Sequence, residues 1–133
     1  MESRRNSLPQ RSILVVEDEN DCRAILATII SRRFPDFAVW SAADGIKGLE
    51  LFKERTPDIV ITDINMPGMG GIPMGMKIRE FKPDTKLIVL TAGNGNDVLE
   101  DSFGAKLEIE HYILKPVDFG RLFTVIEQCI SEI

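Results

Sequence analysis

The sequence has few of the side chains that build zinc centres and disulfide-bonded folds. Its 133 residues include two cysteines and one histidine. Cys22 and Cys129 form neither a CxxC motif nor a metal-ligand spacing, so we expect both to be reduced thiols that pack in the interior. We expect His111 to be an outward-facing strand residue rather than a metal ligand or phosphodonor. The composition therefore argues against a zinc-dependent or disulfide-stabilised protein.

Long apolar runs and clusters of positive charge are also missing. No run approaches the roughly 18 residues of a membrane span, and the polar residues 1–11 lack the apolar core of a signal peptide. The 16 Lys and Arg are outnumbered by 21 Asp and Glu, and they form no basic face of the kind that neutralises nucleic-acid phosphates. We therefore expect a cytoplasmic protein with no membrane partner and no direct nucleic-acid partner.

The sequence does contain enough apolar residues, 44%, to build the core of one domain. We predict a flexible tail over residues 1–11 and a single domain over residues 12–133. Five short runs rich in Val and Ile lack polar alternation, which favours strands covered on both faces of a parallel sheet. These runs are Ile13–Val16, Phe37–Trp40, Ile59–Ile61, Leu87–Leu90 and Tyr112–Leu114.

Segments with helical spacing follow the strands, and Pro73 and Gly75 should weaken the third of them. Asn20 or Asp21 is expected to cap the first helix and Asp118 the last. The predicted buried stripes of these two helices are Cys22, Ile25, Leu26 and Ile29, and Phe119, Leu122, Phe123, Ile126 and Ile130. The helices between them are predicted over Lys47–Arg55, Ile72–Phe81 and Asn96–Phe103. This alternation predicts an α/β domain with right-handed crossovers.

Charged and hydroxyl side chains follow the predicted strands, at the sheet edge where α/β proteins bind ligands. Glu17 and Asp18 follow the first strand, Asp63 the third, Thr91 the fourth and Lys115 the fifth. Clustered carboxylates in a partly desolvated pocket repel one another unless a cation is present. Magnesium suits a set of few carboxylates without His or Cys. A lysine and a hydroxyl could hold phosphoryl oxygens while one carboxylate attacks phosphorus.

Four ordered motifs at these strand ends make the chain resemble the receiver domains of two-component response regulators. The motifs are ILVVEDE at 13–19, DIVITDINMPGM at 58–69, LIVLTA at 87–92 and YILKP at 112–116, and the match extends from about residue 12 to 130. The resemblance implies a flavodoxin-like, doubly wound, five-stranded parallel sheet of order 2-1-3-4-5 flanked by five helices. It is the architecture of a chemotaxis-regulator-like receiver.

The resemblance also implies roles for the residues at the strand ends. Asp63 would accept a phosphoryl group from a phosphohistidine or a small phosphodonor. Asp18, Asp63 and the backbone carbonyl of Asn65 would bind Mg²⁺, and Glu17 would do so through water. Lys115 would contact the acceptor carboxylate and later the phosphate. The chain would thus catalyse only its own aspartyl phosphorylation and dephosphorylation.

A conformational switch is implied as well. Thr91 would be drawn toward the phosphate, and Tyr112 would turn into the vacated space, which alters the surface of the fourth helix, fifth strand and last helix. The Lys115–Pro116 bond would be cis, as is common in these proteins. The implied partners are a sensor histidine kinase or phosphotransfer protein, a downstream output domain or protein, and a second copy in a phosphorylation-dependent dimer.

Two segments differ from the usual sequence pattern of receiver domains. Lys106–Glu110 is a small insertion before the fifth strand. Four methionines occur in a short stretch, where they either fill the core adaptably or form a docking surface; they are Met66, Met69, Met74 and Met76.

Two other functions compete with the phosphorylated switch. The first is a constitutive protein-docking module of the same fold, and the presence of Asp18, Asp63, Thr91 and Lys115 counts against it. The second is a magnesium-dependent phosphatase with an aspartyl nucleophile. Such enzymes usually place a second acid two residues after the nucleophile, where this sequence has Asn65.

Overall fold

The structure, a computed structural model that describes residues 10–92 and 109–133, contains one five-stranded sheet. Its strands are β1 (Ser12–Val16), β2 (Ala38–Ala42), β3 (Ile59–Asp63), β4 (Lys86–Thr91) and β5 (His111–Leu114). They lie in the order β2-β1-β3-β4-β5, and all neighbouring strands are parallel. The predicted sheet and its strand order are therefore confirmed.

Four helices are described: α1 (Asn20–Arg33), α2 (Gly45–Arg55), α3 (Gly71–Phe81) and α4 (Phe119–Ser131). The helix predicted over Asn96–Phe103 lies outside the described residues, as does most of the predicted tail. Within residues 10–92 and 109–133, no helix is both long and apolar enough to cross a membrane.

The helices cover the sheet on both faces, which explains the apolar strand runs. Side chains of β1 alternate between two core clusters. Ile13 and Val15 pack in the cluster with α1 and α4, whereas Leu14 and Val16 pack in the cluster with α2 and α3. A strand buried on both faces needs apolar residues at consecutive positions, as the sequence shows.

Helix α1 differs from the prediction in its cap and in its buried stripe. Its N-cap is Glu19, whose longer side chain reaches the Cys22 N–H and accepts a 2.7 Å hydrogen bond from it. The fully buried residues are Leu26 and Ile30, whereas Ile25 is 50% exposed. The prediction that Asn20 or Asp21 caps this helix was wrong.

Helix α4 is capped by Asp118, which accepts a hydrogen bond from the Arg121 N–H, as predicted. Its buried residues are Leu122, Val125, Ile126 and Cys129, whereas Phe119 is 40% exposed. Phe119 therefore does not belong to the buried stripe. Both cysteines are free thiols, in agreement with the sequence prediction.

Helix α3 forms despite its proline because Pro73 is the third helical residue, within the first turn, where no intrahelical N–H donor is required. Met74 is fully buried on the sheet side of α3, and the three other methionines of the stretch pack against the same cluster. Close packing against α2 uses Gly48, where an added Cβ would lie 2.9 Å from the Met74 sulfur. The methionine stretch therefore fills the core.

Candidate functional site

Charged side chains from three strand ends meet at one edge of the sheet. Glu17 directly follows β1, Asp63 ends β3 and Lys115 directly follows β5. The Lys115 Nζ lies 3.0 Å from Glu17 Oε1, 2.7 Å from Asp63 Oδ1 and 2.8 Å from Asp63 Oδ2. The ammonium group therefore bridges two carboxylates that the chain places 46 residues apart.

Asp18 completes an acidic group with Glu17 and Asp63. One carboxylate oxygen from each of the three residues lies within 4.8 Å of the others. Glu17 is fully buried and Asp63 is 7% exposed, whereas Asp18 is exposed at the rim. The arrangement offers only oxygen ligands and has one open side, which fits Mg²⁺ with several coordinated waters.

The loop after β3 holds Asp63 in place and carries Asn65. The Thr62 hydroxyl donates a 2.9 Å hydrogen bond to the Asp63 carbonyl. An added Cβ at Gly71 would lie 2.0 Å from the same carbonyl, so α3 can begin this close to the strand only with glycine. Asn65 is exposed in this loop and lines an open cavity of about 500 Å³. The loop thus holds the Asp63 backbone against the start of α3, with Asn65 exposed beside it.

Burial and the contacts among Glu17, Asp63 and Lys115 determine how these three side chains are protonated. Burial, together with the hydrogen bond shared with Glu17, raises the pKa of Asp63 to about 7, although Lys115 opposes the shift. Burial also acts on Glu17, but hydrogen bonds from Asp63, Lys115 and the Glu19 N–H outweigh it and lower the pKa of Glu17 to about 2. Burial of the Lys115 ammonium is outweighed by its two carboxylate partners, which raise its pKa. One lysine therefore does not fully compensate the acidic group.

The two residues assigned to a switch lie on the neighbouring strands β4 and β5. Thr91 ends β4, is 5% exposed, and its carbonyl accepts a 2.8 Å hydrogen bond from the Lys115 N–H. Tyr112 is half-buried on β5 and packs against the core cluster on the α2–α3 face. The Lys115–Pro116 peptide bond is cis. The structure thus brings Glu17, Asp18, Asp63, Thr91 and Lys115 to one edge, with Tyr112 two residues before the end of β5, and the roles of these residues remain predictions.

Residues 106–108 of the insertion before β5 lie outside the described residues. The end of that insertion is described. Glu110 accepts hydrogen bonds from Arg79 of α3, at 2.8 and 3.1 Å, and from the Leu87 N–H, at 2.7 Å. The insertion therefore ends in a contact that holds the start of β5 against β4 and α3.

An apolar groove of about 310 Å³ beside Lys115 was not anticipated. Ile25 of α1 and Phe119 of α4 line its walls with Pro116 and Val117, and Glu19 lies among the acidic residues that also line it. The spacing of Cys22, Ile25, Leu26 and Ile29 fits a buried stripe, so the sequence contained no clear signal for the groove. Sequence reasoning instead assigned Ile25 and Phe119 to the core.

The model of the family described as "Response regulator receiver domain" matches residues 13–127. The chain is 36% identical over 109 residues to the "Probable transcriptional regulator ycf27" of Porphyridium aerugineum, an alignment that covers 82% of this chain and 43% of that protein. It is 34% identical over 121 residues to the "Regulator of RpoS" of Escherichia coli K12, which covers 90% of this chain and 35% of that protein. The chain thus spans less than half the length of these relatives.

Solved structures show the same similarity. The N-terminal domain of an uncharacterized protein from Wolinella succinogenes superposes with a TM-score of 0.81 at 37% identity, covering 91% of this chain and 94% of that one. The response regulator protein TrrA from Thermotoga maritima, crystallised in complex with Mg(2+)-BeF, gives a TM-score of 0.78 at 29% identity, covering 90% and 98%. The family-model match over residues 13–127 spans the strand ends where the acidic group lies.

Proposed function

The chain belongs to the response regulator receiver domain family, and we propose that residues 12–133 form a receiver that accepts a phosphoryl group on Asp63. Family membership makes the chain a signalling module of two-component regulation. The observation that carries the proposal is the position of Lys115 Nζ, within 2.8 Å of both Asp63 carboxylate oxygens. In this geometry a cation is already placed beside the carboxylate oxygen that would bond to phosphorus.

The proposed reaction transfers a phosphoryl group from a phosphohistidine to Asp63. One carboxylate oxygen of Asp63 forms a bond to phosphorus while the phosphorus–nitrogen bond breaks, and the leaving imidazole keeps the electron pair and takes up a proton. Such transfers depend mainly on positioning and charge neutralisation. Lys115 supplies one positive charge at the accepting oxygens, and the backbone contacts of β3 and α3 hold the carboxylate in place.

Asp18, Asp63 and the carbonyl of Asn65 would hold Mg²⁺, with Glu17 acting through water. The close approach of three carboxylate oxygens supports this set, as does the absence of His and Cys from it. A bound Mg²⁺ would neutralise charge on the transferred phosphoryl oxygens. The exposure of Asp18 at the rim leaves room for a donor molecule.

Phosphorylation would act as a switch through Thr91 and Tyr112. The modification adds a charge of about −1.5 to −2 and three strong acceptor oxygens beside Lys115. We propose that the Thr91 hydroxyl is drawn to these oxygens and that Tyr112 then repacks at the edge of the sheet. A ligand shifts such an equilibrium only through contacts that differ between the two states, and the phosphate supplies them.

The proposed partners are a histidine kinase or phosphotransfer protein and a downstream output domain or protein. A donor must bring its phosphohistidine to Asp63, and the apolar groove between Ile25 and Phe119 lies beside Lys115 on the same edge. We propose that the donor contacts this groove. The chain would have no other enzymatic activity than its own aspartyl phosphorylation and dephosphorylation, and it would act in the cytoplasm.

Intact mass spectrometry after incubation with acetyl phosphate and Mg²⁺ tests the proposal. We expect wild type and the control Asp36→Ala, which changes an exposed acid, each to gain one phosphoryl group. Asp63→Ala should gain none. A wild type that gains no phosphoryl group would favour the constitutive docking module instead, and phosphorylation of Asp63→Ala would place the acceptor elsewhere.

A further inference from the structure

Arg23 of α1 contacts the backbone of the loop that carries two of the three carboxylates. Its NH1 donates a 2.9 Å hydrogen bond to the Glu17 carbonyl, and its NH2 donates a 2.7 Å hydrogen bond to Asn20 Oδ1. The side chain is partly buried, and Asn20 is exposed at the start of the helix. The planar guanidinium thus links the end of β1 to the first turn of α1.

Two hydrogen bonds hold the backbone on either side of Asp18, one from Arg23 and one between Glu19 and Glu17. On one side, the Glu17 carbonyl, which belongs to the peptide joining Glu17 to Asp18, is held by Arg23. On the other side, the Glu19 N–H donates a 3.2 Å hydrogen bond to the buried Glu17 carboxylate. The conformation of Asp18, and hence the direction of its exposed carboxylate, therefore depends on Arg23.

We propose that Arg23 is a positioning residue that orients Asp18 and Glu17 for Mg²⁺, an inference that rests on the proposed function. Arg23 would not touch the cation. Groups that orient metal ligands commonly change metal affinity by 10-fold or more when they are removed. The positive charge of Arg23 acts in the opposite direction, because it repels Mg²⁺, and removing that charge would raise the affinity for Mg²⁺. For a partly exposed charge this gain is no more than about fivefold.

The two effects can be separated because they have opposite signs. If positioning dominates, Arg23→Met should raise the dissociation constant of Mg²⁺ by about tenfold, measured by isothermal titration calorimetry with MgCl₂. Arg23→Lys keeps the charge but cannot bridge both acceptors, so it should also weaken binding. Asn20→Ala removes one acceptor of the guanidinium and should weaken binding less. Arg32→Met, at an exposed position of the same helix, is the matched control and should bind as wild type does.

Melting in EDTA shows whether each variant is folded, and only folded variants enter the comparison. If Arg23→Met binds Mg²⁺ as tightly as wild type or more tightly, Arg23 acts only as a nearby charge and the inference is overturned. If Arg23→Met does not fold, wild-type affinity in both Arg23→Lys and Asn20→Ala overturns it. If wild type itself does not bind Mg²⁺, both this inference and the proposed metal site are overturned. If wild type binds Mg²⁺ and the variants bind it equally well, only the role of Arg23 is overturned.

Discussion

Replacing Asp63 with asparagine should stabilise the metal-free protein at alkaline pH. Asp63 and Glu17 are buried side by side, and Lys115 compensates only part of their charge. The pKa of Asp63 is raised from its ordinary 3.8 to about 7. A group whose pKa is raised by folding contributes stability below its unfolded pKa and loses that contribution as the pH rises through its folded pKa. The stability that neutral Asp63 contributes is therefore lost progressively from its unfolded pKa of 3.8 up to about pH 7, and the loss is complete at higher pH.

The size of the effect follows from the pKa shift. About three pH units at 1.36 kcal/mol each set a ceiling of about 4 kcal/mol at pH 8. Solvent relaxation at the open rim lowers the cost of the charge, so we expect Asp63→Asn to gain about 2 kcal/mol. For 133 residues this corresponds to a rise in melting temperature of about 7 °C. At pH 5 the gain should fall to about a third, because folded Asp63 is then mostly neutral.

Thermal melting followed by circular dichroism at pH 5 and pH 8, in EDTA, measures both numbers. Asp36→Asn removes the same charge from an exposed position and serves as the control, for which we expect a change of less than about 2 °C. Saturating Mg²⁺ should stabilise wild type more than Asp63→Asn, since the variant lacks one ligand. Asp63→Asn that melts at or below the wild-type temperature at pH 8 would show that Lys115 fully compensates the acidic pair, and the reasoning would fail.

Three further predictions concern the groove, the end of the insertion and a buried thiol. Ile25→Lys should slow phosphorylation by a donor phosphohistidine protein about tenfold without changing phosphorylation by acetyl phosphate. The control Ile46→Lys, which replaces an equally exposed isoleucine on α2, should change neither rate. Equal effects of the two variants would show that the groove takes no part in donor binding. Glu110→Ala should lower the free energy of unfolding, measured in urea, by about 2 kcal/mol, because it leaves the buried N–H of Leu87 in β4 without its acceptor. The control Glu127→Ala, which breaks an exposed ion pair, should lower it by less than about 1 kcal/mol. Cys129, whose pKa burial raises to about 11, should react with a thiol reagent at pH 8 only as fast as the protein unfolds; rapid labelling in the folded state would contradict its burial.

The sheet and the acidic group could be predicted because their signals are local in the chain. Each strand of a parallel sheet covered on two faces requires a short apolar run, and the residue after each run necessarily lies at the same edge. Glu17, Asp63 and Lys115 were therefore placed together without any knowledge of their distances. What could not be predicted was that a single ammonium group contacts both carboxylates, because this depends on side-chain geometry within 3 Å.

The contacts that the sequence did not reveal come from helix α1, whose apolar residues are not confined to one face. Its pattern allowed Ile25 to be placed in the core, whereas the helix turns Leu26 and Ile30 toward the sheet and leaves Ile25 on the groove wall. That rotation also directs Arg23 back toward the end of β1, where it meets the Glu17 carbonyl. The rotation of one helix about its axis thus determines both the groove beside Lys115 and the support of the metal-binding loop. A change that rotates α1 should therefore alter Mg²⁺ affinity and donor recognition together, even when Asp18, Asp63 and Lys115 are unchanged.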